Sequence, residues 1–194
     1  MVARTTGDGN NLEVAETFAK TVLSLPVDIP WYTSIARATL ALVAVQRRDV
    51  AAAQEQYAAL GPVRGIILLY IGGDRLLGLL SLTLGKLDQA MAHFEDALAF
   101  CRKAGYRPEL AWTCHDYAEA LLVRTHGRAS LPGDRAKAIS MLDEALSISQ
   151  ELGMRPVMER VVALQEKAKS QPKRAPTYPD GLTEREVEVL RLVA

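Results

Sequence analysis

Aromatic residues make up only 6% of the chain, and cysteine occurs twice. Cys101 and Cys114 are too few for a disulfide framework, and both fall inside apolar helical patterns, where a small buried hydrophobe is expected. Net charge is absent too, because 23 Lys plus Arg balance 23 Asp plus Glu. A neutral chain exerts no diffuse pull on nucleic acid or an acidic bilayer, so any DNA binding needs a dedicated element. Long hydrophobic runs are also missing. The most apolar stretch, 65–85, is broken by Gly72, Gly73, Asp74 and Arg75, and a span there would bury two charges at mid-depth. Residues 1–10 are polar and lack the apolar segment of a secretory signal. The expectation is a cytoplasmic protein with no membrane partner.

Signatures of chemistry are lacking as well. No Gly-x-x-x-x-Gly-Lys phosphate loop occurs, and Gly7-Asp8-Gly9 is followed by Leu12 where a dinucleotide fingerprint needs its third glycine. His93, His115, His126 and the two cysteines show neither i, i+4 pairing nor Cys-x-x-Cys spacing, so no metal is expected. Cys114-His115-Asp116 holds nucleophile, base and acid types in a row. Successive side chains on a helix point about 100° apart, which speaks against a relay. These absences predict no enzyme and no cofactor.

What the chain has in abundance is Ala and Leu, which lose little on entering a helix. Their arrangement repeats. Gly85, Ala90, Phe94, Ala97 and Leu98, with Leu77 and Gly78 upstream, return 37 residues earlier as Arg48, Ala53, Tyr57 and Leu60, with Leu40 and Ala41 upstream. A step of 48 forward finds Gly133, Ala138, Leu142, Ala145 and Leu146. The exit Gly105-Tyr106-Arg107-Pro108 is echoed by Gly153-Met154-Arg155-Pro156, and Tyr117, Ala118 and Leu121 answer the upstream helix, leaving the extra length in the loop 125–132.

Small residues at 78 and 90 let two antiparallel helices approach, with Phe94 or Tyr57 filling the space beside them. Leu87, Ala90, Met91, Phe94, Ala97, Leu98 and Cys101 recur at steps of three and four, one face of a helix. Gly105 and Gly153 suit left-handed helix ends. Helices are expected near 11–25, 31–46, 50–60, 66–70 leading into 74–84, 87–104, 108–123, 134–152 and 156–169. The last is more polar, as the cap of a stacked array should be.

The pattern resembles the tetratricopeptide (TPR) family, whose motif places Leu-Gly in the first helix and Gly, Ala, Phe and Ala in the turn and second helix. Leu77, Gly78, Gly85, Ala90, Phe94 and Ala97 match; Ser81 stands where the family has Tyr, and the spacing exceeds the family's unit of about 34 residues. The resemblance implies an all-α fold over 1–170, a TPR-like α-solenoid of antiparallel helix pairs. It also implies that the first helix of each pair lines a groove. Arg75, Leu79, Trp112, His115 and Glu119 are then candidates to hold a peptide or extended segment. The alternative is that Trp112 packs and the charges are solvated.

Beyond Lys169 the composition turns to proline and charge, an extended linker over 171–181. Lys167, Lys169, Lys173 and Arg174 read as keeping it soluble, the alternative being contacts to DNA phosphates in an intact regulator. Residues 182–194 open with Leu182-Thr183-Glu184-Arg185-Glu186, in which Thr183 and Glu186 form a capping box. This segment resembles the first helix of the LuxR-type helix-turn-helix domain, whose turn and recognition helix follow later in that family. The two resemblances together imply the partner- or effector-sensing repeat domain of a bacterial LuxR-type transcriptional regulator, controlling its assembly by partner binding or self-association. In such regulators an ATPase module lies upstream, and DNA would be bound only through the missing C-terminal domain. The alternative is a stand-alone TPR scaffold for a partner protein.

Overall fold

The computed structural model describes residues 9–26, 29–61, 64–68, 71–125, 131–170 and 190. Among these the chain forms eight α-helices and one small antiparallel ribbon. The helices are α1 (Gly9–Leu23), α2 (Pro30–Arg47), α3 (Val50–Ala59), α4 (Gly73–Thr83), α5 (Leu87–Ala104), α6 (Arg107–Thr125), α7 (Asp134–Glu151) and α8 (Arg155–Ser170); the ribbon is β1 (Ile67–Leu68) and β2 (Ile71–Gly72). The expected linker over 171–181, nearly all of the segment 182–194 and most of the loop 125–132 lie outside the described residues.

A helix is expected over 66–70, but the described residues 66–68 are not helical, and 69–70 lie outside the described residues. Ile67 pairs with Gly72 and Leu68 with Ile71, a short ribbon that leads directly into α4. β-branched Ile66, Ile67 and Ile71 favour extended backbone, and Gly65 at φ +68 turns the chain into it. Leu68 and Ile71 are buried, so the ribbon joins the core rather than decorating it.

Each helix packs on the next in the chain, and a second set of contacts joins α2 to α4, α4 to α6 and α6 to α8. Consecutive helices therefore pack in pairs whose first members also touch one another. The consequence is visible in burial. α4 is buried from Gly73 through Ser81 and α6 on nearly every face, whereas α8 buries only the stripe Val157, Val161, Leu164 and Ala168. One apolar core runs through all the pairs, from Ala38 to Ala168.

The expected exchange of a small residue for a ring is present. A Cβ on Gly78 would lie 2.9 Å from Phe94 Cε1, so only glycine lets α4 sit this close to the ring. On its other flank Phe94 stacks on Tyr117 of α6, with centroids 5.6 Å apart. Ala53, Ala90 and Ala138, related by the two sequence steps, are all completely buried.

The turns within the pairs agree in the same way. Arg48, Gly85 and Gly133 all take left-handed backbone, at φ 54, 71 and 93. Four helix ends close with the same six-residue hydrogen bond: Asp49 N donates to Ala44 O, Lys86 N to Ser81 O, Tyr106 N to Cys101 O and Met154 N to Ser149 O, at 2.8–2.9 Å. That bond satisfies carbonyls that the last helical turn leaves without a partner. The first two of these pairs, 44/49 and 81/86, again differ by 37.

Candidate functional site

Of the five residues expected to line a groove, Arg75, Leu79, Trp112 and His115 are buried and Glu119 is exposed. Leu79 belongs to the apolar core. Arg75, Trp112 and His115 come together where α4 meets α6, in a densely bonded seam.

Arg75 is the hub. Its Nε and Nη2 donate to the two carboxylate oxygens of Glu109 at 2.6 and 3.1 Å, and its Nη1 donates to Asp116 Oδ2 at 2.8 Å. All three side chains are at most 3% exposed. Burial works against the charged guanidinium, yet the charges of Glu109 and Asp116 outweigh it and hold Arg75 above the ordinary arginine range. Glu109 is fixed from a second side, because Gly72 N donates to its Oε1 at 2.5 Å at the head of α4. A carboxylate at a helix N-terminus meets unsatisfied N–H groups and the positive end of the dipole. A Cβ on Gly72 would come within 3.1 Å of the same oxygen, so glycine leaves this approach uncrowded.

Asp116 Oδ1 in turn lies 3.0 Å from His115 Nδ1, despite the angular separation expected of neighbours on one helix. Both side chains are long enough to curl toward each other. The third member of the suspected row does not join them. Cys114 faces Glu144 and Cys101, and burial first of all raises its pKa, which keeps the thiol protonated and poorly nucleophilic. The Trp112 ring stands 6.3 Å from His115 in an edge arrangement, with the Arg75 and Arg160 guanidinium carbons 5.8 and 5.7 Å from its centroid. Trp112 thus sits in a cationic frame provided by α4 and α8.

Sequence reasoning missed Glu109 as the partner of Arg75. The only available signal was the similar position of Arg75 and Glu109 near the starts of α4 and α6, the first helices of successive pairs. It also missed a surface. Between α1 and α2 lies an apolar groove of about 450 Å³ lined by Phe18, Val22, Leu25, Ile29, Tyr32 and Ile35, of which Phe18 is 71% exposed. A contiguous exposed apolar patch is uncommon on a monomer and marks a place where another surface can bind. Among the described residues, no helix is long and apolar enough to cross a membrane.

No family model matches the chain, and neither a curated protein nor a solved structure is found to match it.

Proposed function

We propose that this chain is a TPR-like solenoid, the partner- or effector-sensing repeat domain of a cytoplasmic LuxR-type transcriptional regulator, and that partner binding sets the assembly state of the intact protein. The observation that carries the reading is the succession along the chain of a repeated helix pair, a proline-rich stretch and Leu182-Thr183-Glu184-Arg185-Glu186. The solenoid part is supported by the matching left-handed turns at Arg48, Gly85 and Gly133 and by the added contacts among α2, α4, α6 and α8. One hairpin cannot bury its own apolar face, and stacking supplies the missing cover.

Partner binding is supported by the groove between α1 and α2, where Phe18, Ile29 and Tyr32 stay in contact with water. Arg160, beside the buried Trp112, and the exposed Glu119 supply polar positions on α8 and α6. The groove admits an apolar helix or an extended segment of another protein chain.

Sequencing the transcript beyond the Ala194 codon tests the transcriptional half of the proposal. An in-frame continuation encoding a turn and a recognition helix is expected. A stop codon within a few positions removes that half and leaves a stand-alone repeat scaffold. Phe18→Glu tests the other half: capture of a protein partner from the native extract, or self-association in sedimentation, should be lost while the circular dichroism spectrum is kept. Retained binding would move the partner site away from α1.

A further inference from the structure

Asp74 in the first turn of α4, and His93 and Asp96 one turn apart on α5, bring an imidazole and two carboxylates together. Their ligand atoms all lie within 4.8 Å of one another. His93 is only 7% exposed. Its Nε2 is hydrogen-bonded with the Tyr57 hydroxyl at 2.8 Å, while its Nδ1 is buried with no hydrogen-bond partner. The nearest carboxylate oxygen, Asp74 Oδ1, is 4.0 Å from Nδ1, too far for a hydrogen bond. In the tautomer whose Nε2–H faces the Tyr57 hydroxyl, the unpartnered Nδ1 presents a lone pair to a cation.

We propose that Asp74, His93 and Asp96 form a binding site for a divalent first-row transition ion, with Zn²⁺ the best fit. One imidazole and two carboxylates are a donor set that zinc accepts, and three protein ligands leave a fourth position open. Two donors on one ion at about 2.1 Å each stand at most about 4.2 Å apart, so the 4.0 Å between Nδ1 and Oδ1 already suits a shared ion. The wider separations in the cluster close by rotation of Asp96, which is exposed.

The surroundings support the ligands as an outer shell should. Tyr57 fixes the imidazole through Nε2, and Gly65 N donates to Asp74 Oδ2 at 2.6 Å, orienting the other oxygen toward His93. Burial, then the charge of Arg64, lowers the His93 pKa, so the ring is kept in the neutral form that ligates. Arg64 is the cation now in place, with Nη2 2.6 Å from Asp96 Oδ2 and Nε 3.5 Å from Asp74 Oδ1. It is 58% exposed and can swing into solvent to admit an ion. His115, Asp116 and Glu119 make a similar trio, but there His115 Nδ1 and both Asp116 oxygens are already engaged with each other and with Arg75.

Co²⁺ is the probe. Titrated into the metal-free 194-residue chain, it should give a saturable visible absorption at one equivalent that Zn²⁺ displaces. His93→Gln should abolish the signal, and Asp96→Asn, a surface change that keeps the fold, should weaken binding about tenfold or more. Arg64→Gln should tighten it, because the competing cation is gone. Circular dichroism melts establish that each variant is folded. A chain that gives no saturable absorption overturns the proposal. So does a titration unchanged in both Asp96→Asn and His93→Gln, and binding weakened by Arg64→Gln would overturn the exchange of guanidinium for metal.

Discussion

Gly78→Ala adds a single methyl group at the tightest helix contact and isolates one physical claim. The new Cβ would stand 2.9 Å from Phe94 Cε1 and 3.0 Å from both Cδ1 and Cζ, well inside van der Waals contact. Phe94 cannot retreat easily, since it is fully buried and stacked on Tyr117. Overpacking of this kind costs about 1–3 kcal/mol. Alanine in a helix interior returns up to about 1 kcal/mol relative to glycine. The net expectation is a loss of about 1–2 kcal/mol, or roughly 2–8 °C in Tm for a chain of this size. Urea denaturation followed by far-ultraviolet circular dichroism reads it directly. Phe94→Leu made in the Gly78→Ala background should cost less than in the wild type, because the two residues share one space; a coupling of about 0.5–3 kcal/mol is expected. Unchanged or raised stability in Gly78→Ala, or additive effects in the cycle, would refute the close approach of α4 to that ring.

Other consequences are as concrete. Arg75→Met strands the buried carboxylates of Glu109 and Asp116 and should cost about 3–5 kcal/mol in the same denaturation assay; a loss under 1 kcal/mol would mean that water reaches the seam. Burial pushes the Cys101 thiol from its ordinary 9.0 up to about 11. The unfolded thiol ionises first, so stability should fall as pH climbs from about 9 toward 11, and Cys101→Ala should flatten that part of the profile whatever its effect at neutral pH. An identical alkaline slope in the variant would contradict the burial argument.

How much of this was legible in the sequence depends on whether a feature is local or formed between elements. Helix positions, the Gly78–Phe94 contact and the left-handed ends at Gly105 and Gly153 follow from periodicity and residue size, and the chain folds that way. The ribbon at 67–72 was missed because five residues cannot tell a buried helix turn from a strand by pattern alone. The Arg75 network was missed for a different reason. Polar residues on a helix are solvated by default, so nothing in the pattern marks Glu109 or ties it to Arg75, and only the packing of α4, α5, α7 and α8 around α6 takes Glu109, His115 and Asp116 out of water. His93 and Asp96 did share a face at i, i+3, but their third companion, Asp74, comes from another helix.

Helix pairs that are copies of one unit must place equivalent backbone at their turns. Arg48 occupies, at φ 54, the place that Gly85 holds at φ 71, and its side chain is exposed. Left-handed backbone costs a residue with a Cβ about 1–2 kcal/mol, partly offset by the greater freedom glycine has when unfolded. Measured side by side in urea, Arg48→Gly should therefore gain about 0.5–1 kcal/mol while Gly85→Ala loses about 1 kcal/mol or more. Opposite signs are what equivalent turns require; a destabilised Arg48→Gly, or a Gly85→Ala that is neutral, would contradict the repeat.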